Sequence, residues 1–187
     1  MKRENSDNPE YVDHKGMSVV EKVVDGIKIE YLKSPNGDKH GLYREWYKKG
    51  QLRLKCNYVN GVINGLYEEW RENGQPTITF SYVNGVANGL HEQWHENGQL
   101  GIKCNYVDGV MNGLHEQWYE NGQLKIKFSY INGVLNGLHE EWHENGQLKL
   151  KCNRVNGRPD GSFHIWDENG ELIKEKLYDN GVPVKSN

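Results

Sequence analysis

Histidine, glutamate and cysteine recur in this chain at spacings that invite metal or acid–base chemistry. His91, His115 and His139 fall 24 residues apart, as do Glu68, Glu92, Glu116 and Glu140, while Cys56, Cys104 and Cys152 stand 48 apart. Metal ligands must converge on one ion within a few ångströms. If each 24-residue unit is two strands, histidines one unit apart lie about 10 Å apart, and His91 to His95 along one strand is about 13 Å. Successive cysteines would be about 19 Å apart, beyond the roughly 7 Å that a disulfide spans, so they read as small buried hydrophobes. Glycosidase chemistry needs one carboxylate pair in two distinct environments, and identical glutamates at about 10 Å intervals lack that asymmetry. No Ser/His/Asp or Cys/His constellation stands out from the repeat, and no glycine pair opens a helix as a phosphate loop would. The expectation is therefore no catalytic, cofactor or metal residues. The His91 and His95 ladders (His115, His139 and His143 included) are placed on a solvated outer face, titrating near the ordinary imidazole value.

The spacing itself is the stronger signal. Trp46, Trp70, Trp94, Trp118, Trp142 and Trp166 are all the tryptophans of the chain, each 24 residues from the next. A period of this length marks a repeat array, one supersecondary unit copied six times. In the unit that starts at Gly85, two runs alternate at period two: Leu90, Glu92, Trp94, and then Leu100, Ile102, Cys104, Tyr106. Between them Glu96-Asn97-Gly98 reads as a type I turn closed by a left-handed glycine, pairing His95 with Gln99. Continued without interruption, that register sets Trp94 opposite Leu100, Glu92 opposite Ile102 and Leu90 opposite Cys104. One face then carries Leu, Trp, Ile, Cys and Tyr, with Glu among them. The other carries His91, Gln93, His95, Lys103 and Asn105. Each unit is thus a half-buried antiparallel hairpin.

Between hairpins, Val107-Asp108-Gly109-Val110 reads as a two-residue primed turn. Followed strictly it sets Lys103 against Leu114, so one extra residue must be absorbed. A glycine bulge at Asn112-Gly113 is the expected place, repeated at Asn64-Gly65, Asn88-Gly89 and Asn136-Gly137, with Asp160-Gly161 in the last unit. A period of 48 overlies the 24, because Cys56, Phe80, Cys104, Phe128 and Cys152 alternate at one position. Alternating small and large side chains lets units interdigitate, and duplication of a 48-residue block explains the pattern equally well. Residues 1–16 read as a disordered tail, 17–35 as a capping hairpin, 36–181 as the six repeats and 182–187 as a second tail. Lys174 and Lys176, in place of inward apolar residues, discourage edge-to-edge growth.

The formal charge of -3, from 23 basic and 26 acidic residues, gives no reason to expect nucleic acid. No stretch approaches the roughly 18 apolar residues of a membrane span, and the first eight residues lack the apolar run of a secretory signal. The expected location is the cytoplasm.

The string Asn-Gly, Gly-Leu-x-Glu-x-Trp, Glu-Asn-Gly-Gln-Leu, Tyr-x-Asn-Gly over residues 36–181 resembles the MORN repeat. It is most similar to the variant form of bacterial YwqK-type antitoxin proteins and of arrays in large DNA viruses of amoebae. The resemblance implies an all-β fold: an elongated, curved, single antiparallel sheet of consecutive hairpins. It also implies scaffolding, self-association or lipid contact, with host cytoplasm or virion as the location if the chain is viral. The residues point to a non-enzymatic interaction module with a protein partner or a second copy, membrane contact being disfavoured by the negative charge. Antitoxin-like neutralisation and structural assembly are the alternatives. The expected partner-binding groove holds Trp70, Trp94, Trp118 and Trp142, Glu68, Glu92, Glu116 and Glu140, and Tyr82, Tyr106 and Tyr130. Against that reading, the glutamates reach water or backbone in an open groove, and the tryptophans are core.

Overall fold

A computed structural model describes residues 16–185; the tail expected over 1–16 falls almost wholly outside them. No helix forms among the described residues. They build one open antiparallel sheet in which each strand pairs with the strands before and after it in sequence. The first hairpin joins Ser18–Val24 to Ile27–Lys33 through Asp25 and Gly26, both at positive φ. Six hairpins follow, the third of them joining Val86–Trp94 to Leu100–Val107. The last pairs Arg158–Trp166 with Leu172–Asp179, and Val182–Pro183 adds a short strand beyond residue 181.

Two kinds of turn alternate along the array. At the tryptophan end His95 N–H donates to the Gln99 carbonyl and Gly98, at φ 85°, closes the loop, as the sequence implied. At the other end Asp108 (φ 49°) and Gly109 (φ 80°) form the two-residue turn in which both central residues are left-handed, the primed type.

The register inside each hairpin departs from the expected one. Gln93 pairs with Ile102 while Trp94 pairs with Leu100, leaving Gly101 unopposed as a β-bulge. Arg53, Thr77, Lys125, Lys149 and Ile173 are the extra residues of the other five hairpins. One skipped residue reverses every side chain beyond it. His91 thus meets Cys104, Glu92 meets Lys103 and Leu90 meets Asn105. The uninterrupted register would have set each glutamate against an isoleucine or leucine, a carboxylate without a cation on a half-buried surface. The bulged register sets Glu92, Glu116 and Glu140 against Lys103, Lys127 and Lys151, and Glu68, opposite Thr79 in its own hairpin, meets Lys55 of the preceding one.

The link between units is corrected for a related reason. From the pair Met111–Tyr106 to the pair Glu116–Lys103 one strand advances five residues and the other three, so two residues are absorbed at Asn112-Gly113-Leu114. Two extra residues preserve the facing of the side chains, and no single-residue slip is needed once the bulge beside Trp94 has made it. Gly113, at φ 91°, supplies the left-handed backbone here.

Candidate functional site on the two faces of the sheet

Strand alternation divides the side chains into two unlike faces. The inner face carries a cross-strand row that reads Tyr31, Tyr43, Cys56, Tyr67, Phe80, His91, Cys104, His115, Phe128, His139, Cys152, Phe163. Three rings separate successive cysteines, and the thiols are 1–2% exposed. The rings touch one another along the row: Phe80 and His91 lie 4.3 Å apart between centroids, and His115 stacks on Phe128 at 4.7 Å. Tyr82, Tyr106 and Tyr130 stand beside them on the same face, with Phe80–Tyr82 at 5.1 Å and Phe128–Tyr130 at 5.3 Å.

Of the histidines expected in solvent, His91, His115 and His139 therefore belong to the core row, with His115 5% exposed and His139 8%, while His95 and His143 stand half-buried beside the turns. Burial holds the imidazoles of His91 and His115 below their ordinary value, and for His115 the nearby His91 adds to the effect. Each has a polar neighbour on the same face. His91 Nδ1 lies 3.5 Å from Cys104 Sγ, Gln117 Nε2 lies 2.9 Å from His115 Nε2, and Arg154 Nε donates to His139 Nδ1 at 3.0 Å. The Tyr43 hydroxyl donates to Glu45 at 2.6 Å, and Tyr67 bonds Glu69 in the same way. Burial pushes the Cys56 thiol up to about 11, so it is no nucleophile at neutral pH. Among the described residues no three His, Cys, Asp or Glu side chains are placed to hold a metal ion.

The outer face is polar at its centre and apolar at its margins. A second row crosses every long strand: Glu21, Glu30, Arg44, Lys55, Glu68, Thr79, Glu92, Lys103, Glu116, Lys127, Glu140, Lys151, His164, Glu175. Over its middle the signs alternate strand by strand. The ion pairs close at 3.1 Å for Lys103–Glu92, 3.3 Å for Lys127–Glu116, 2.9 Å for Lys151–Glu140 and 3.5 Å for Lys55–Glu68. The tryptophans share this face: Lys28 lies over the Trp46 ring at 5.2 Å, and His164 stacks on Trp166 at 5.4 Å.

On the other side of the charge row lies a row in which Leu42, Leu66, Leu90, Leu114 and Leu138 alternate with Asn57, Ser81, Asn105, Ser129 and Asn153. These leucines were expected in the core; they are 39–48% exposed. Exposed Val83, Val86, Val107 and Val110 flank the primed turns beside them.

The eleven residues of the expected groove are consequently not one surface. Trp70, Trp94, Trp118 and Trp142 do stand with Glu68, Glu92, Glu116 and Glu140, but Tyr82, Tyr106 and Tyr130 face the opposite side. The glutamates meet lysines rather than tyrosine hydroxyls. The alternation of Glu and Lys at fixed places in each unit was the available signal for this row; the uninterrupted register hid it by assigning the two residue types to different faces.

Units are stitched at both ends of the strands. The residue after each tryptophan bonds the carbonyl of the next tryptophan, 23 positions on: Tyr47 to Trp70 (2.8 Å), Arg71 to Trp94 (3.2 Å), His95 to Trp118 (2.8 Å), Tyr119 to Trp142 (2.9 Å) and His143 to Trp166 (3.0 Å). Three side-chain types serve one donor role, and Asp167 stands at that position in the unit of Trp166. At the primed turns Gly109 N–H donates to Ala87 O at 2.8 Å and Gly133 N–H to Met111 O at 2.9 Å.

A family model described as MORN repeat variant matches residues 39–60, 87–108, 111–132, 135–156 and 159–180, together more than half of the chain. The unit containing Trp70, Arg71 and Pro76 is outside the matched segments, yet it folds into the same hairpin with the same bulge. No curated protein matches the chain.

Proposed function

The chain belongs to the MORN repeat variant family, a non-catalytic repeat family, and from that premise we propose that it is a protein-docking scaffold whose working surface is the outer face of the sheet. One observation carries the reading: the leucine row stays exposed through five successive units, while the apolar core lies on the opposite face. A monomeric sheet gains nothing from leucine at a solvent-facing position, and leucines repeated on alternate strands beside exposed valines make an apolar margin of the kind that marks an interaction surface. Beside it the charge row supplies polar groups of fixed spacing, which set partner orientation more than affinity. Those lysines each have a glutamate at hand, so the face presents no basic patch for anionic headgroups, and a protein is the favoured partner over a lipid surface.

Cross-linking in the native cell, followed by mass spectrometry, tests this. The double variant Leu90→Glu/Leu114→Glu alters only exposed side chains and is expected to lose the cross-linked proteins. Gln93→Lys, an exposed change on the inner face, is expected to keep them. Equal cross-linking by both variants would remove the outer face as the docking surface.

A further inference from the structure

We infer that the partner seated on the outer face is a second copy of this chain, related by a two-fold axis that lies between the two faces, parallel to the strands, midway between the strand of Lys103 and that of Glu116. The inference rests on the outer face being the docking surface and adds what docks there and in which register.

Two rows on this face alternate with the same two-strand period: acid with base in one, leucine with a small polar residue in the other. A two-fold axis parallel to the strands reverses the order of strands but leaves each row over itself. If that axis falls between two strands, every strand meets one of the opposite kind. Lys103 then lies over Glu116, Glu92 over Lys127 and Glu68 over Lys151. In the neighbouring row Leu114 lies over Asn105 and Leu90 over Ser129, large over small. One symmetry operation therefore satisfies two independent patterns, as an isologous interface requires. An axis along the array would instead set like charges over like and the leucine edge over the tryptophan edge.

The ends of the charge row select among the inter-strand axes. Alternation fails where Arg44 takes the place of a glutamate and Glu175 that of a lysine. With the axis between Lys103 and Glu116, these two inverted positions face each other and remain complementary. Moving the axis by one strand toward the N-terminus sets Arg44 over Lys151, and one strand toward the C-terminus sets Glu68 over Glu175. Two pairs are neutral to the choice or mildly adverse in it, Thr79 with Glu140 and Lys55 with His164. The overlap covers about twelve strands, roughly 55 Å by about 20 Å, on the order of 1,000 Å² per copy. A standard interface buries about 800 Å² per partner. Burial of the leucine, valine and tryptophan margins supplies the attraction; the charge row, already paired in plane, fixes the register.

Analytical ultracentrifugation of the full chain over a concentration series tests the assembly. The wild type is expected to dimerise, and Leu90→Glu/Leu114→Glu to sediment as a folded monomer, its fold checked by circular dichroism. Arg44→Glu alone is expected to weaken the dimer about five-fold, since each exposed pair is worth under about 1 kcal/mol and occurs twice. Adding Glu175→Lys is expected to restore it. Residues 44 and 175 are eleven strands apart within one copy, so rescue cannot arise inside a chain. A wild type that stays monomeric at its highest soluble concentration overturns the inference, as does a dimer indifferent to the leucine pair or a charge swap without rescue. A monomer whose cellular cross-links still depend on Leu90 and Leu114 would overturn the dimer and leave the docking face standing.

Discussion

At the residue scale the inner row sets the chemistry of the molecule by withholding it. His91 and His115 are kept below the ordinary imidazole value by burial, so the unfolded chain binds more protons than the native one once pH drops through about 6.5. Their contribution is therefore intact above that pH and lost as pH falls toward the depressed native values. His115→Phe should flatten this acid limb. The position tolerates a ring, since Tyr43, Tyr67 and Phe163 occupy it in other units, and the change removes a buried Nδ1 that has no partner. Urea midpoints at pH 5 and pH 7.5 are expected to differ less for the variant than for the wild type, and an unchanged difference would refute the assignment. The thiols give a second residue-scale test. Cys56, Cys104 and Cys152 are buried, and the first is pushed up to about 11. A thiol reagent at neutral pH should find none of them in the native protein and all three in denaturant.

Within single elements, stability rests on backbone turns that only certain residues supply. A Cβ added at Gly113 would meet no atom within 4 Å, yet the residue sits at φ 91°. Gly113→Ala should thus cost about 1–2 kcal/mol from conformation alone, and Gly113→Asn less, with thermal denaturation as the measurement. The stitch beyond each tryptophan gives another value. Tyr119→Phe leaves the Trp142 carbonyl without its donor, an expected loss of about 1 kcal/mol. This is also the scale at which sequence reading succeeds and fails. Asp108-Gly109 and Glu96-Asn97-Gly98 announce their turns, because left-handed backbone restricts residue type so sharply. The bulge beside each tryptophan announces nothing: its extra residue is Arg53, Thr77, Gly101, Lys125, Lys149 or Ile173, and no composition marks it. One unmarked residue moved His91, His115 and His139 from solvent to core and the leucines from core to surface. It also separated Tyr82, Tyr106 and Tyr130 from the tryptophans and glutamates. Opposite-charge matching of Glu92 with Lys103 was the constraint able to fix the register, and it asks for pairs to be tested rather than faces to be filled.

For the molecule as a whole, the 48-residue period carries a consequence that the 24-residue period does not. Along the inner row three rings fill the space between one cysteine and the next, as Tyr67, Phe80 and His91 do between Cys56 and Cys104. Strands are only about 4.8 Å apart, and the small thiols give the tilted rings room to lean. Removing residues 90–113 joins Gly89 to Leu114, preserves every turn and keeps the charge row alternating. It also deletes Cys104 and brings Tyr67, Phe80, His115, Phe128 and His139 into five consecutive strands. Such overpacking costs about 1–3 kcal/mol. Removing residues 66–113 joins Gly65 to Leu114 and takes out a whole 48-residue block, so Cys56 is followed by His115, Phe128, His139 and Cys152. Because each unit touches only its neighbours, array stability should otherwise fall smoothly with length. The expected thermal midpoint of the one-unit deletion therefore lies below the average of the full chain and the two-unit deletion. A midpoint on or above that average would show that the alternation of cysteine and phenylalanine is a trace of duplication without a packing role.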